Sequence, residues 1–182
     1  MRVLFIGNSF TARNDLPALI AEQMAASGGR LEHQLIWAGG APLRRHWNAG
    51  DARHAIESAR WDYVVLQEQS TLPLKNPERM YESVALFDAL IRDAGARTAL
   101  YMTWARAHAP ESQEVIADVY LNVGYALDAL VVPVGLEWQR ALGSAAAPTL
   151  YDRDGSHPSL DGSRLAARVF AETLRGGGGL TV

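Results

Sequence analysis

The chain of 182 residues contains no cysteine, which excludes a disulfide scaffold, a thiolate nucleophile and a cysteine-based zinc site. No apolar run approaches the roughly 18 residues of a membrane span. Before Gly7 the N-terminus offers one arginine and then only Val3 to Ile6, too short for a secretory core. The expectation is a soluble cytoplasmic protein, with removal of a leader as the other way to reach the same sequence. Neither sign of charge dominates: 17 Lys and Arg face 20 Asp and Glu, a net charge of −3. Nucleic acid and anionic membrane are therefore not expected partners. The densest basic cluster, Arg44, Arg45 and His46, reads as a solvated loop. Neither Gly-x-Gly-x-x-Gly nor a phosphate loop is present. Gly176 to Gly179 lacks both a preceding strand and a following Lys-Ser/Thr, so a nucleotide binder is disfavoured. The nucleophile elbow Gly-x-Ser-x-Gly is missing too, which argues against the common α/β-hydrolase arrangement.

What is present is a soluble, globular composition, 48% hydrophobic and 20% charged. It suits one domain over residues 1–175 with a flexible glycine-rich tail at 176–182. Short apolar runs bounded by turn residues read as buried strands at Val3–Ile6, Leu31–Trp37, Tyr63–Leu66, Thr98–Thr103 and Ala129–Val132. Between them lie helical patterns. Asn14 or Asp15 would cap a helix that carries Leu16, Leu19, Ile20 and Met24 on one face and stops at Gly28-Gly29. A short helix is expected near Ala52–Ala59. From Pro77 the spacing of Met80, Val84, Phe87 and Ile91 predicts a longer one. After Pro110 a helix is expected whose face carries Val115, Ile116, Val119, Tyr120, Val123 and Leu127. Two more are predicted over Leu136–Leu142 and Leu160–Leu174. Strands alternating with helices imply a parallel sheet of about five strands, in a three-layer, flavodoxin-like α/β/α sandwich.

Ligands in such sheets bind outside the carboxyl ends of the strands. That rule selects the loops Gly7–Thr11, Gly39–Leu43, Gln67–Leu72 and Trp104–His108. Ser9 stands at a strand-to-helix turn, where backbone amides can face an oxyanion. A serine hydroxyl needs a base, and the base needs a third group to set its tautomer. Asp154 and His157, three apart in a glycine-containing loop before the last helix, have the spacing for that pair. His33 and His54 fall on a strand and a helix and read as structural. His46 and His108 lie in loops within reach of substrate. No histidine spacing supports a metal site.

The stretch Phe5-Ile6-Gly7-Asn8-Ser9-Phe10-Thr11 resembles the first sequence block of the SGNH (GDSL-like) hydrolases, in a branch with Gly-Asn-Ser. Asp154-Gly155-Ser156-His157-Pro158 resembles their last block. The resemblance spans nearly the whole chain. It implies a triad of Ser9, Asp154 and His157, with Gly40 of Gly39-Gly40-Ala41-Pro42 supplying an oxyanion-hole amide. Where the family carries an asparagine as a further oxyanion donor, this chain has Gln69, with Gln67 as the alternative. Asn8, Gln67, Trp104 and His108 are the candidate substrate contacts.

The implied reaction is acyl transfer to Ser9 and hydrolysis by water, with no metal or organic cofactor required and a small-molecule ester as substrate. Trp37, Trp47, Trp104 and Tyr151 would rim the site and suit a sugar ring, and no long apolar loop suggests an acyl tunnel, which favours short acyl or acetyl esters. The alternatives are a thioesterase or lysophospholipase for longer chains, or a non-catalytic binding module on the same fold.

Overall fold

The computed structural model describes residues 1–144 and 148–176. The expected tail at 176–182 therefore lies outside the described residues apart from Gly176. Five strands form one sheet: β1 (Arg2–Gly7), β2 (Glu32–Trp37), β3 (Tyr63–Leu66), β4 (Arg97–Tyr101) and β5 (Leu130–Val132). They pair in the order β2-β1-β3-β4-β5, and every pairing is parallel.

Strand alternation sorts each residue to one of two cores. Val3 and Phe5 of β1, Tyr63 and Val65 of β3, and Ala99 and Tyr101 of β4 face one side. Leu4, Ile6, Val64, Leu66 and Leu100 face the other. All four central residues of β1 are fully buried, each side chain contributing about 1.5–3 kcal/mol through burial. This two-sided burial is why the strand reads as a continuous apolar run. The edge strand β2 is more open, and its outer residues Glu32, His33 and Gln34 are exposed.

On the first face lie α1 (Ser9–Ala12), α2 (Leu16–Ala26), α8 (Val134–Leu142) and α9 (Leu160–Gly176), packing Phe10, Ile20, Trp138 and Phe170 into the core. On the second lie α3 (Leu43–Ala49), α4 (Asp51–Ser58), α5 (Leu72–Lys75), α6 (Pro77–Asp93) and α7 (Gln113–Leu127). Met80, Val84, Phe87, Ile116, Tyr120 and Val123 build that core. Among the described residues no helix is long and apolar enough to cross a membrane.

The segment from Ala41 to Ser58 differs from the single short helix expected. It holds two helices, broken at Gly50. The basic trio is therefore helical rather than a loop, and His46 is buried on α3. Val115, expected on the buried face of α7, is 50% exposed, because the packed stripe runs through Ile116, Tyr120 and Val123 instead. Asp15 precedes α2 but makes no capping hydrogen bond with its side chain. Asn14 and Asp15 both adopt positive φ, a conformation that Asn and Asp tolerate better than other side chains.

Candidate active site

The turn after β1 is built from buried polar bonds. Asn8 caps α1: its side-chain oxygen accepts from the Phe10 amide at 3.1 Å, and its side-chain amide donates to the Ala41 carbonyl at 3.2 Å. The Asn8 backbone amide donates to Gln67 Oε1 at 2.8 Å, and the Thr11 hydroxyl donates to the same oxygen at 3.0 Å. His46 Nε2 lies 2.8 Å from the Gly7 carbonyl, to which it donates as the neutral ring. Burial pushes the His46 pKa down, which keeps it in that form. Gly7 is required by close approach: an added Cβ would lie 2.6 Å from Thr11 Oγ1 and 2.7 Å from Gln67 Oε1. These contacts set Ser9 at the first position of α1, partly exposed.

The loop carrying Asp154 and His157 is held by its own backbone. Asp152 N donates to the His157 carbonyl at 2.8 Å, and an antiparallel bridge joins Tyr151 and Pro158. Asp154 Oδ1 accepts from the amides of Ser156 and His157, both at 2.9 Å. Its Oδ2 lies 2.5 Å from His157 Nδ1, and His157 Nε2 lies 2.9 Å from Ser9 Oγ. The hydrogen bond from His157, then the two amides, hold the Asp154 carboxyl well below the usual carboxylate range. An ionised Asp154 keeps the ring proton on Nδ1, so the Nε2 lone pair faces the serine hydroxyl.

Three fasteners join the two parts. Arg13 pairs with Asp152 at 2.5 Å. Asn14 Nδ2 donates to Ser163 Oγ at 2.9 Å and to the Ser159 carbonyl at 3.1 Å. Phe10 packs between the rings of Trp104 and His157, at centroid distances of 5.1 and 5.2 Å. The structure thus brings Ser9, His157 and Asp154 into one line although the first and last are far apart in the chain.

The two expected oxyanion donors outside the serine turn, Gly40 and Gln69, belong to the loops after β2 and β3. Gly40 sits in the turn after β2 with φ +62°, a conformation that suits glycine, and its amide has no partner among the described residues. The Asn8 bond to Ala41 ties that turn to the serine. Gln69 Oε1 accepts from the Thr71 amide and hydroxyl, both at 3.0 Å, which leaves the side-chain NH2 free to donate elsewhere.

Gln67 corrects the sequence reading. It is fully buried, its oxygen is used by Asn8 and Thr11, and its Nε2 donates to the Glu68 carbonyl at 2.6 Å. Fully buried, it supports the serine turn and does not face a substrate. Asn8 is corrected in the same way: at 2% exposure its side chain is spent on the cap and on Ala41. His46, expected within reach of substrate, instead braces the Gly7 carbonyl.

The aromatic rim also changes. Trp104 stacks on Trp138 at 3.7 Å and donates to the Ser156 carbonyl at 3.0 Å, so it chiefly orders the His157 loop. Trp47 packs edge-on against Phe87, and the Tyr151 hydroxyl donates to the Ala105 carbonyl. Of the four, only Trp37 is open to solvent. Trp104 and His108 do share a cavity of about 220 Å³ with Ser70, Thr71, Lys75 and Arg106.

Glu68 follows Gln67 directly and is spent on structure. Buried at 1% exposure, it accepts with Oε1 from the amides of Leu43 at 3.0 Å and Gln69 at 2.6 Å. It therefore links the two loops that carry Gly40 and Gln69. Burial pushes its pKa up to about 7 against the pull of those amides. No local spacing signals this role, since its partners come from two separate loops.

A parallel sheet in the order 2-1-3-4-5 with a serine, a histidine and an aspartate aligned over its carboxyl edge defines a flavodoxin-like hydrolase architecture. Among solved structures the chain is similar to a protein from Slackia heliotrinireducens named as a candidate SGNH hydrolase. The identity is 33% over 96% of this chain and 98% of that one, with a TM-score of 0.83. It is also similar in fold to the esterase EstA from a Pseudoalteromonas species, at 14% identity over 96% and 97% of the two chains and TM-score 0.73. A variant of Axe2, an acetyl-xylooligosaccharide esterase from Geobacillus, matches at 16% identity over 95% and 93%, with TM-score 0.69. Neither protein-family models nor curated proteins return a match. The chain belongs to the SGNH hydrolases.

Proposed function

We propose that the protein hydrolyses carboxylic esters with short acyl groups through an acyl-enzyme on Ser9. The observation that carries this reading is the continuous line from Ser9 Oγ through His157 to Asp154, with both contacts at hydrogen-bond distance. His157 Nε2 takes the serine proton as Oγ attacks the ester carbonyl. The developing oxyanion is met by the amides of Ser9 and Gly40 and the side-chain NH2 of Gln69. Collapse of that intermediate breaks the ester bond, and the imidazolium returns its proton to the leaving alcohol. Water, deprotonated by the same nitrogen, then releases the acid and restores Ser9.

Asp154 fixes the tautomer and stabilises the imidazolium without taking a proton itself. Its depressed pKa suits that task, because it stays ionised wherever His157 works as a base. The preference for short acyl groups rests on the cavity shared by Trp104 and His108, which is modest at about 220 Å³ and lined by charged and hydroxyl groups as well as apolar ones. Fold likeness to proteins named as an esterase and an acetyl-xylooligosaccharide esterase supports the ester reading.

Incubation with p-nitrophenyl acetate and with a fluorophosphonate probe tests the proposal. Turnover and covalent labelling are expected for the native protein, and both are expected to vanish in Ser9→Ala. Absence of turnover, or labelling that survives in Ser9→Ala, would overturn it.

A further inference from the structure

Between the loops that follow β3 and β4 lies a cavity whose charge the proposed chemistry leaves unused. It is bounded on one side by Ser70 and Lys75 and on the other by Trp104, Arg106 and His108. Its walls are tied to the Gln69 and His157 loops. Ser70 follows Gln69 directly, the Trp104 indole is tied to the Ser156 carbonyl, and the Ala107 amide donates to the Gly155 carbonyl at 2.9 Å. The Trp104 ring contacts Phe10, which in turn contacts His157. A substrate whose ester carbonyl reaches Ser9 therefore has this cavity as neighbouring space.

The lining is cationic without compensation. Among the described residues no carboxylate lines the cavity; Glu111 and Glu114, close by in sequence, are not part of its wall. Lys75 is the chain's single lysine. Neither it nor Arg106 forms an ion pair among the described residues. Arg106 is the decisive member, because it lines the cavity and its buried Nε has no hydrogen-bond partner among the described residues. A guanidinium stays charged at every accessible pH, and a buried donor left unpaired is costly. An anion held in the cavity would accept from the Arg106 guanidinium and offset its charge.

Building on the ester-hydrolase reading, we propose that this cavity receives an anionic group of the substrate, a carboxylate, sulfate or phosphate borne next to the scissile ester. Arg106 supplies the principal contact, with Lys75 and His108 at the more open side. Recognition of charge by this surface would select among esters, while the Ser9 line performs the same bond cleavage on each.

The test compares esters within one enzyme preparation, so the active fraction cancels. On the acyl side, 4-nitrophenyl hemisuccinate is set against 4-nitrophenyl butyrate. On the alcohol side, 4-acetoxybenzoate is set against phenyl acetate. After correction for spontaneous hydrolysis, the anionic ester of at least one pair is expected to show a kcat/KM about tenfold higher, the scale of one charge-assisted hydrogen bond. The pair that responds identifies which part of the substrate carries the anion. Arg106→Gln should reduce that ratio to near one, Arg106→Lys should retain part of it, and Arg106→Glu should invert it. Ratios near one for both pairs in the native enzyme would overturn the inference, as would a preference unchanged in Arg106→Gln. In either case Ser9-dependent hydrolysis of p-nitrophenyl acetate would leave the esterase reading standing. Loss of all turnover and of labelling would remove that reading and the inference with it.

Discussion

The two halves of the site are held in opposite ways. The serine turn is buried, and its polar groups are satisfied by residues distant in sequence: Gln67 holds Asn8 and Thr11, and His46 holds the Gly7 carbonyl. The Asp154–His157 loop is open to solvent, with the Asp154 side chain 47% exposed, and its shape comes mainly from bonds within Tyr151–Ser159. The nucleophile is therefore placed by the whole sheet edge, whereas the acid–base pair is largely placed by one short segment. Damage to the first half should reach stability and turnover together. In the second half it should reach turnover alone.

Asp154→Asn makes the strongest contrast. An asparagine can still accept the two backbone amides, so the loop keeps its shape, but it no longer holds His157 in the productive tautomer. We expect kcat to fall by about 10⁴ with little change in thermal unfolding, read by steady-state kinetics and calorimetry on one preparation. A large drop in Tm would show that the loop is not self-supporting.

Gln67→Met probes the other half. It leaves the Asn8 amide and the Thr11 hydroxyl without their shared acceptor in a fully buried place. The expected loss is about 2 kcal/mol of stability, from denaturant unfolding, with a parallel fall in kcat as Ser9 loses its register. Unchanged stability with reduced kcat would erase the distinction between the halves.

Glu68→Gln sharpens the comparison through pH. A carboxyl whose pKa is raised on folding, here from 4.5 to about 7, binds its proton more tightly folded than unfolded. Its contribution favours the fold below the unfolded value and is lost as pH rises through about 7. Glutamine keeps an acceptor for the Leu43 and Gln69 amides and removes the titration. The Tm of Glu68→Gln relative to native should therefore climb between about pH 5 and about pH 8, by an amount equivalent to a few kcal/mol at most. A pH-independent difference would assign Glu68 no titration in this range.

Arg13→Ala should have the smallest effect. The Arg13–Asp152 pair joins the two halves, but both side chains are more than a third exposed. A loss below about 1 kcal/mol in stability is expected, with kcat within about threefold of native. A larger fall in kcat would show that the ion pair, more than Asn14, sets the distance between Ser9 and His157.

Much of this was legible in the chain, for identifiable reasons. Strands buried on both faces must be apolar throughout, so Val3–Ile6 and Tyr63–Leu66 announce themselves. The Asp154 loop is equally readable, because an aspartate three residues before a histidine, with a glycine between them at φ +64°, closes on itself. Less readable was the polar interior. Asn8 and Gln67 sit at strand ends and His46 on the first helix after the β2 turn, where a polar side chain can face either a substrate or the protein. Local spacing does not distinguish the two. Trp104 looked like a platform and is chiefly a brace, since its stacking partner Trp138 arrives from α8.

The amino-acid order by itself determined the alternation of strands and helices, hence the parallel sheet, and the three-residue spacing that sets Asp154 beside His157. Those properties follow from periodicity and short-range geometry, which a linear chain carries without folding. Only the tertiary structure decided which polar side chains face inward, that Glu68 ties the Gly40 and Gln69 loops, and that Arg106 and Lys75 meet in one cavity. Burial and hydrogen-bond partnership are relations between distant segments. They come into being when the sheet brings those segments to the same edge.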